Sequence, residues 1–255
     1  MEPRYNPTEL LICSASRLMP DGVTAFIGTG IPMLAAALAQ KRHAPNLVPI
    51  FEFGGTGARL ERLPLAVGDS RSFYRAVAAT GICDVMEAAQ RGFVDYGFLG
   101  GAQIDAYGNL NTTLIGTDHD RPEVRMPGSG GGNDVASHCW RTIAIMRHDR
   151  RRFVRDLDFL TTPGYLTGPG ARAEAGLAAD TGPYRVVTEL AILGFHPETK
   201  RMEIRQRQPG VTIDEIRAAT GFELGVAEPV EDNPPPTDEE LRLLREEVDP
   251  ERLYI

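Results

Sequence analysis

The chain has 255 residues, 42% hydrophobic and 24% charged, long enough to bury a large core and balanced like an ordinary globular protein. A formal charge of −8 argues against nucleic acid as the main partner. No apolar run approaches the roughly 20 residues that span a bilayer, so no membrane segment is expected. The N-terminal stretch Met1-Glu-Pro-Arg-Tyr-Asn-Pro7 is polar and broken by prolines, unlike a signal peptide. Cys13, Cys83 and Cys139 are scattered and odd in number, which suggests neither a disulfide framework nor a metal cluster and fits a reducing cytoplasm.

In chain order, Pro7 to Met19 reads as a helix, with Leu10, Leu11, Ala15 and Leu18 at helical spacing. Val23–Ile27 reads as a buried strand ended by Gly28-Thr-Gly30, Ile31–Arg42 as a helix, and Leu47–Phe51 as a second strand stopping at Glu52. Strand, helix and strand in this rhythm predict a βαβ unit with parallel strands. Further strands are expected at Tyr96–Leu99, Thr142–Met146, Leu157–Thr161, Val186–Val187, Ala191–Phe195 and Met202–Arg205, and helices at Val85–Arg91, Thr212–Thr220 and Asp238–Glu247. The last helix follows Asn233-Pro-Pro-Pro236, with Thr237 as N-cap and Glu240 three residues on, a capping box. The expected fold class is α/β: one domain over 1–255 with an open, mostly parallel sheet covered by helices on both faces, and 234–255 as a docking helix and tail.

Four stretches could carry chemistry. Gly28-Thr-Gly-Ile-Pro-Met33 sits where a dinucleotide loop would, but it lacks the third glycine; a tight turn with Pro32 near the helix start explains it. Glu52 lies just past a strand's C-terminal end, where ligands bind in open α/β sheets. The apolar residues before it would partly desolvate its carboxylate, and Gly54-Gly-Thr-Gly57 would let a bulky ligand approach. A surface glutamate at a strand end is the plain alternative. Gly100-Gly-Ala-Gln-Ile-Asp-Ala-Tyr-Gly-Asn-Leu-Asn111 places a tight turn at Gly108-Asn109 and gathers the amides Gln103, Asn109 and Asn111. Turn chemistry accounts for Asn109, less so for Gln103. In Pro127-Gly-Ser-Gly-Gly-Gly-Asn-Asp134 the glycines free backbone N–H groups for an anion, with Asn133 or Asp134 able to cap a following helix. As an oxyanion hole, this loop would aim N–H groups at a tetrahedral intermediate. It lacks the Gly-Lys-Ser/Thr ending of a nucleotide P-loop. The basic run Arg147-His-Asp-Arg-Arg-Arg152 reads equally as a solvated turn or a phosphate contact. His43, His119, His138, His148 and His196 have no metal-ligand spacing, and no Gly-x-Ser-x-Gly elbow is present.

Together these stretches resemble the β-type subunit of the class I, glutaconate-type CoA-transferases. The ordered match comprises Gly28-Thr-Gly-Ile-Pro32, Glu52 with Gly54, Val67-Gly-Asp69, Gly100-Gly-Ala-Gln-Ile-Asp105, Tyr107-Gly-Asn109 and Gly128-Ser-Gly-Gly-Gly-Asn133. It continues with Arg151-Arg-Phe153, Thr162-Pro-Gly164, Gly168-Pro-Gly170, Thr220-Gly-Phe222 and Leu244-Arg-Glu-Glu-Val-Asp-Pro250. The resemblance implies Glu52 as the nucleophile of a ping-pong transfer through a glutamyl-CoA thioester. It implies an oxyanion and CoA-binding loop at Gly130, Gly131, Gly132 and Asn133, with the key amide on Gly131, and Gln103 lining the site. It also implies coenzyme A as substrate with no permanently bound cofactor, an obligate α-type partner subunit, and carboxylic acids as substrates, such as the dicarboxylate glutaconate. Phe53 stands where the family often has a small or polar residue. On the same scaffold, acyl-CoA hydrolysis or C–C cleavage is the alternative reaction, and a non-catalytic binding subunit a further one; retention of Glu52 favours transfer.

Overall fold

The computed structural model describes residues 4–66 and 68–255. The N-terminal residues Met1 to Pro3 and the Val67 of the Val67-Gly-Asp69 motif lie outside the described residues. The chain forms two compact units, one of the residues up to Phe98 together with Pro234–Ile255, the other of Leu99–Asn233.

The first unit opens with α1 (Pro7–Ser16). Asn6 Oδ1 accepts from Glu9 N at 2.9 Å and the Glu9 carboxylate accepts from Asn6 N at 2.8 Å, a reciprocal cap. β1 (Thr24–Phe26), α2 (Ile31–Arg42) and β2 (Val48–Ile50) follow, and β1 and β2 run parallel with Phe26 opposite Ile50. α2 is buried from Met33 to Ala39; its alanines and leucines leave no polar face there, as befits a core helix. The two-residue strands β3 (Gly55–Thr56) and β4 (Ala78–Ala79) continue antiparallel from β2. After α3 (Ile82–Gln90), β5 (Tyr96–Leu99) returns parallel to β1, giving the order β5-β1-β2-β3-β4.

The second unit starts with two short ribbons, β6 (Gln103–Ile104) with β7 (Leu110–Asn111) and β8 (Leu114–Ile115) with β9 (Val124–Arg125). Then come α4 (Gly132–His138), β10 (Arg141–Ile145), α5 (Ala171–Glu174), β11 (Gly182–Val187), β12 (Ala191–Phe195), β13 (Met202–Arg207), α6 (Ile213–Ala218) and β14 (Gly225–Asp232). Their order is β14-β13-β12-β11-β10. The outer pairs β10/β11 and β13/β14 are parallel, while β11/β12 and β12/β13 are antiparallel. Ile104, Phe153, Leu193, Ile204 and Ile216 form the middle of its core. The fold is α/β, with a mixed set of parallel and antiparallel strands.

The C-terminal segment belongs to the first unit. α7 (Asp238–Leu243) runs on into a π-helical turn, Leu244–Val248. Its start carries the expected capping box, with Glu240 N donating to Thr237 Oγ1 at 3.2 Å and Thr237 N to Glu240 Oε2 at 2.8 Å. Glu240, 1% exposed, also receives Arg17 at 2.6 Å and Arg42 at 3.1 Å. Arg245 holds the equally buried Glu9 of α1 at 2.6 and 2.9 Å. Burial alone pushes both carboxyls up most strongly, but the arginine and backbone hydrogen bonds together outweigh it and hold both below the usual glutamate value.

One expected strand is corrected. Leu157–Thr161 is not a strand: the isolated bridges stand on either side of it, at Phe153 and Thr162, and Asp158 N donates to the Gln103 side chain rather than to a neighbouring backbone. Among the described residues, no helix is long and apolar enough to cross a membrane.

Candidate active site

Glu52 belongs to the first unit. β2 ends at Ile50, and Gly54 N donates to the Phe51 carbonyl at 2.9 Å while Phe51 N donates to Gly55 O at 2.8 Å. This closes a four-residue turn with Glu52 and Phe53 as its two central residues. The turn demands glycine at its exit. Gly54 has φ +110°, and a Cβ there would lie 2.2 Å from Thr80 O; one on Gly55 would lie 2.1 Å from Ser72 O. Backbone from two loops therefore presses on the turn, and the half-buried Glu52 projects from a fixed base. Because β1 and β2 are parallel and in register, Gly28 and Glu52, each two residues past a paired position, leave the sheet at the same end. Gly28–Gly30 makes the tight turn expected of it, with Gly30 as the N-cap of α2 and Pro32 in the helix's first turn.

Gln103 and the glycine loop belong to the second unit, linked there by one hydrogen-bond network. Asn111, wholly buried, donates to Gln103 Oε1 and to Leu114 O, each at 2.7 Å. Its own Oδ1 accepts from Thr113 N at 2.9 Å. Thr113 and Thr161 share a hydroxyl contact of 2.7 Å, and Asn133 donates to the Thr161 carbonyl at 3.0 Å. Thr112 ties down the loop itself, its Oγ1 donating to Gly128 O at 2.9 Å while Gly128 N donates to Thr112 O at 3.0 Å. Gln103 and Asn133 are thus brought into one framework.

The side-chain geometry refines both positions. Gln103 Oε1 accepts from Asn111 and from Asp158 N, and its Nε2 donates to Asp158 Oδ2 at 3.1 Å. The amide is mainly a brace. Asn133 does not cap the helix, because α4 begins one residue earlier, at Gly132, with Gly131 as N-cap and no side-chain cap. Asn109 does more than turn chemistry. Besides donating to Asp105, it accepts from Gly164 N at 2.7 Å and Leu166 N at 3.0 Å, fastening the turn to a distant loop. Asp105 is half-buried, and desolvation raises its carboxyl above the ordinary value although Asn109 and the backbone N–H groups of Tyr107 and Asn109 oppose this.

Arg151 and Arg152 line an open groove of about 710 Å³ together with Gln103, Ile115, Val124 and Val154. Arg152 is held by Asp149 at 3.1 Å. His148 is a buried core histidine, its ring nitrogens 3.1 Å from Thr188 Oγ1 and 3.0 Å from Thr220 Oγ1, stacked on Phe153 at 3.9 Å. Desolvation drives its pKa down to about 4. Among the described residues, no group of three or more His, Cys, Asp or Glu side chains could hold a metal ion.

Sequence reasoning missed three supporting residues. Thr161 adjoins the quoted Thr162-Pro-Gly164 stretch but carries no signal of its own. Asp158 falls within the stretch expected to be a strand. Arg172, 3% exposed, pairs with no carboxylate among the described residues; it donates to the carbonyls of Gly164, Ala136 and Ser137 and to Thr181 Oγ1. It thereby satisfies the end of α4, the helix that the glycine loop opens. An arginine just after Gly168-Pro-Gly170 was the one available hint.

A carboxylate on a locked turn, plus a glycine loop braced by buried amides, is a set of parts suited to acyl chemistry. The family model described as Coenzyme A transferase matches residues 9–219. The chain is 36% identical to one subunit of the glutaconate CoA-transferase of Acidaminococcus fermentans, over 98% of this chain and 95% of that one. It is 35% identical to one subunit of the 3-oxoadipate CoA-transferase of Pseudomonas knackmussii, over 94% and 92%. The crystal structure of glutaconate coenzyme A-transferase from Acidaminococcus fermentans superposes with a TM-score of 0.94 at 33% identity, covering 99% of this chain and 98% of that one. The chain belongs to the coenzyme A transferase family.

Proposed function

We propose that this chain is the nucleophile-bearing subunit of a CoA-transferase that moves CoA from an acyl-CoA to a carboxylic acid. The observation that carries the reading is Glu52 at the tip of a turn locked by Gly54 and Gly55 in a chain of this family. A Glu52 carboxylate oxygen attacks the thioester carbonyl carbon, the C–S bond breaks, and CoA leaves as the thiolate. The thiolate then attacks the Glu52 carbonyl of the resulting anhydride and releases the first carboxylate. The second acid runs the same steps in reverse from the glutamyl-CoA thioester. Gly131 N–H, with Gly130, Gly132 and Asn133 shaping its loop, is assigned to the oxyanion of the tetrahedral intermediates. Gln103 is assigned a bracing role, and Arg151 is a cation available to the phosphates of CoA.

The reading includes an α-type partner, because each of the two related chains is one subunit of a CoA-transferase. It includes a cytoplasmic setting, in keeping with three free cysteines. Dicarboxylates are the substrate class to try first, since glutaconate and 3-oxoadipate name the relatives.

The test uses the complex reconstituted with its α-type subunit. Given acyl-CoA alone, peptide mapping should find a CoA thioester on Glu52. Glu52→Gln should lose about 10⁴-fold or more in kcat with the complex intact. CoA release that needs no acceptor acid, with no adduct on Glu52, would instead establish hydrolysis or C–C cleavage.

A further inference from the structure

Four arginines and one aspartate crowd into residues 147–152 of a chain whose net charge is −8. A run of like charge is usually a solvated face, but this one is held in place. Ile104 N donates to Arg152 O at 2.7 Å and Val154 N to Ile104 O at 3.0 Å, which stitches the segment to β6. Asp149 ties the turn, its Oδ1 accepting from Arg151 N at 2.9 Å and from Arg152 N at 3.2 Å. Its Oδ2 takes the Arg152 guanidinium at 3.1 Å. Asp149 therefore neutralises Arg152 and leaves Arg151, which is exposed and forms no ion pair among the described residues.

Arg151 lines the open groove of about 710 Å³ together with Ile115, Val124 and Val154. Val124 is 50% exposed, aliphatic surface left to water. The volume falls in the range of small-molecule sites, about 300–1,000 Å³. A cation on a fixed turn, in a groove with uncovered aliphatic surface, matches a ligand that joins a flat apolar part to an anion. In a chain of the coenzyme A transferase family, the adenosine end of CoA has that chemistry. Its phosphates suit the planar guanidinium fork, and its ring suits the aliphatic side chains. We infer that this groove is the nucleotide subsite for CoA, with Arg151 on a phosphate and Ile115, Val124 and Val154 against the adenine. Arg152, held by Asp149, keeps the turn in shape. The inference rests on the reading of the chain as a CoA-handling subunit, and holds whether transfer or hydrolysis follows.

The experiment titrates CoA and adenosine 3′,5′-bisphosphate into the complex reconstituted with its α-type subunit, wild type and variants, by calorimetry. Loading of Glu52 from acyl-CoA and assembly of the complex are followed alongside. Arg151→Ala should weaken both ligands by about 10-fold, the scale of one charge-assisted hydrogen bond. Arg151→Lys should recover part of that loss, and Val124→Glu, which sets a negative charge on the groove lining, should weaken both ligands again. Unchanged affinity for both ligands in Arg151→Ala and Val124→Glu would overturn the subsite, while a Glu52 thioester would leave transfer standing. Loss of assembly in Arg151→Ala, with affinities unchanged in Val124→Glu, would also overturn it and make the groove a subunit contact. Weakened CoA binding in both variants, with no thioester on wild-type Glu52, would support the subsite and remove the transfer reading alone.

Discussion

In the unit that carries Glu52, charge does the fastening: Arg17 and Arg42 converge on Glu240, and Arg245 grips Glu9. In the unit that carries the glycine loop an ion pair joins Arg205 to the buried Glu203, but around the loop the fastening is mostly neutral, with Asp158 the one carboxylate that Gln103 meets. Asn111, Gln103, Thr113, Thr161 and Asn133 trade amide and hydroxyl hydrogen bonds, and even Arg172 meets only carbonyls and a hydroxyl. The difference teaches where each half is vulnerable. Buried ion pairs fail when a partner is removed or protonated. A network of amides and hydroxyls meets carboxylate titration only where Gln103 reaches Asp158, but each group it orphans carries the full desolvation cost.

The comparison is broken most severely by removing the shared carboxylate. Glu240→Ala leaves Arg17 and Arg42 facing each other without their acceptor and removes the helix cap. We expect a loss of about 3–5 kcal/mol, read as a melting-temperature drop of roughly 2–4 °C per kcal/mol for a chain of this size. Hydrogen exchange should quicken in α1, α2 and α7 while β10–β13 keep their protection. Equal loosening of both units would contradict the division drawn above.

Acid sharpens it. His148 is neutral when folded with a pKa of about 4, against 6.5 when unfolded, so the unfolded chain binds the extra proton between these values. Its stabilisation is whole above pH 6.5 and declines as pH falls toward 4, reaching about 2 kcal/mol lost at pH 5. Glu9 and Glu240 are held below their ordinary value of 4.5; their stabilisation persists above 4.5 and is lost as pH falls below it. Exchange measured from pH 7 to 5 should therefore loosen β10–β13 before α1 and α7, and His148→Gln should flatten that dependence. The smallest effect is Asn111→Leu, which keeps the volume but orphans Thr113 N. About 2 kcal/mol should be lost, with kcat falling more than KM rises, because the loop braced through Thr161 shifts while the carboxylate does not.

The sequence showed much of this because burial writes a regular pattern. Ile31–Arg42 and Tyr96–Leu99 stand as expected, and the Thr237–Glu240 box is a local motif that needs no tertiary context. β14 escaped notice because Pro229 and its run of acidic side chains read as loop, which an exposed edge strand tolerates. β3, β4 and β6–β9 are two residues each, too short to show a period. At the candidate site, the strand-end position of Glu52 and the glycine loop were legible in the sequence, but position alone did not set Glu52 apart from a surface glutamate; the ordered set of motifs did. What could not be read was which amide hydrogen bonds turn inward. Gln103 is committed to Asn111 and Asp158 by contacts up to 55 residues away, and Asn133 to Thr161 by the register of a helix that begins one residue earlier than its side chain suggests.

The Arg17 guanidinium, besides gripping Glu240, donates to the carbonyls of Pro234 and Pro235. During synthesis this sets an order. Residues 99–233 form a continuous stretch that can close upon itself as it leaves the ribosome. The segment bearing Glu52 emerges earlier, yet its Arg17, Arg42 and Glu9 have no counterions until residues 234–255 arrive. The unit that carries Glu52 is thus completed after the other, and a nascent chain stalled before Pro234 would leave the side of α2 that the C-terminal segment covers exposed, a natural substrate for a chaperone.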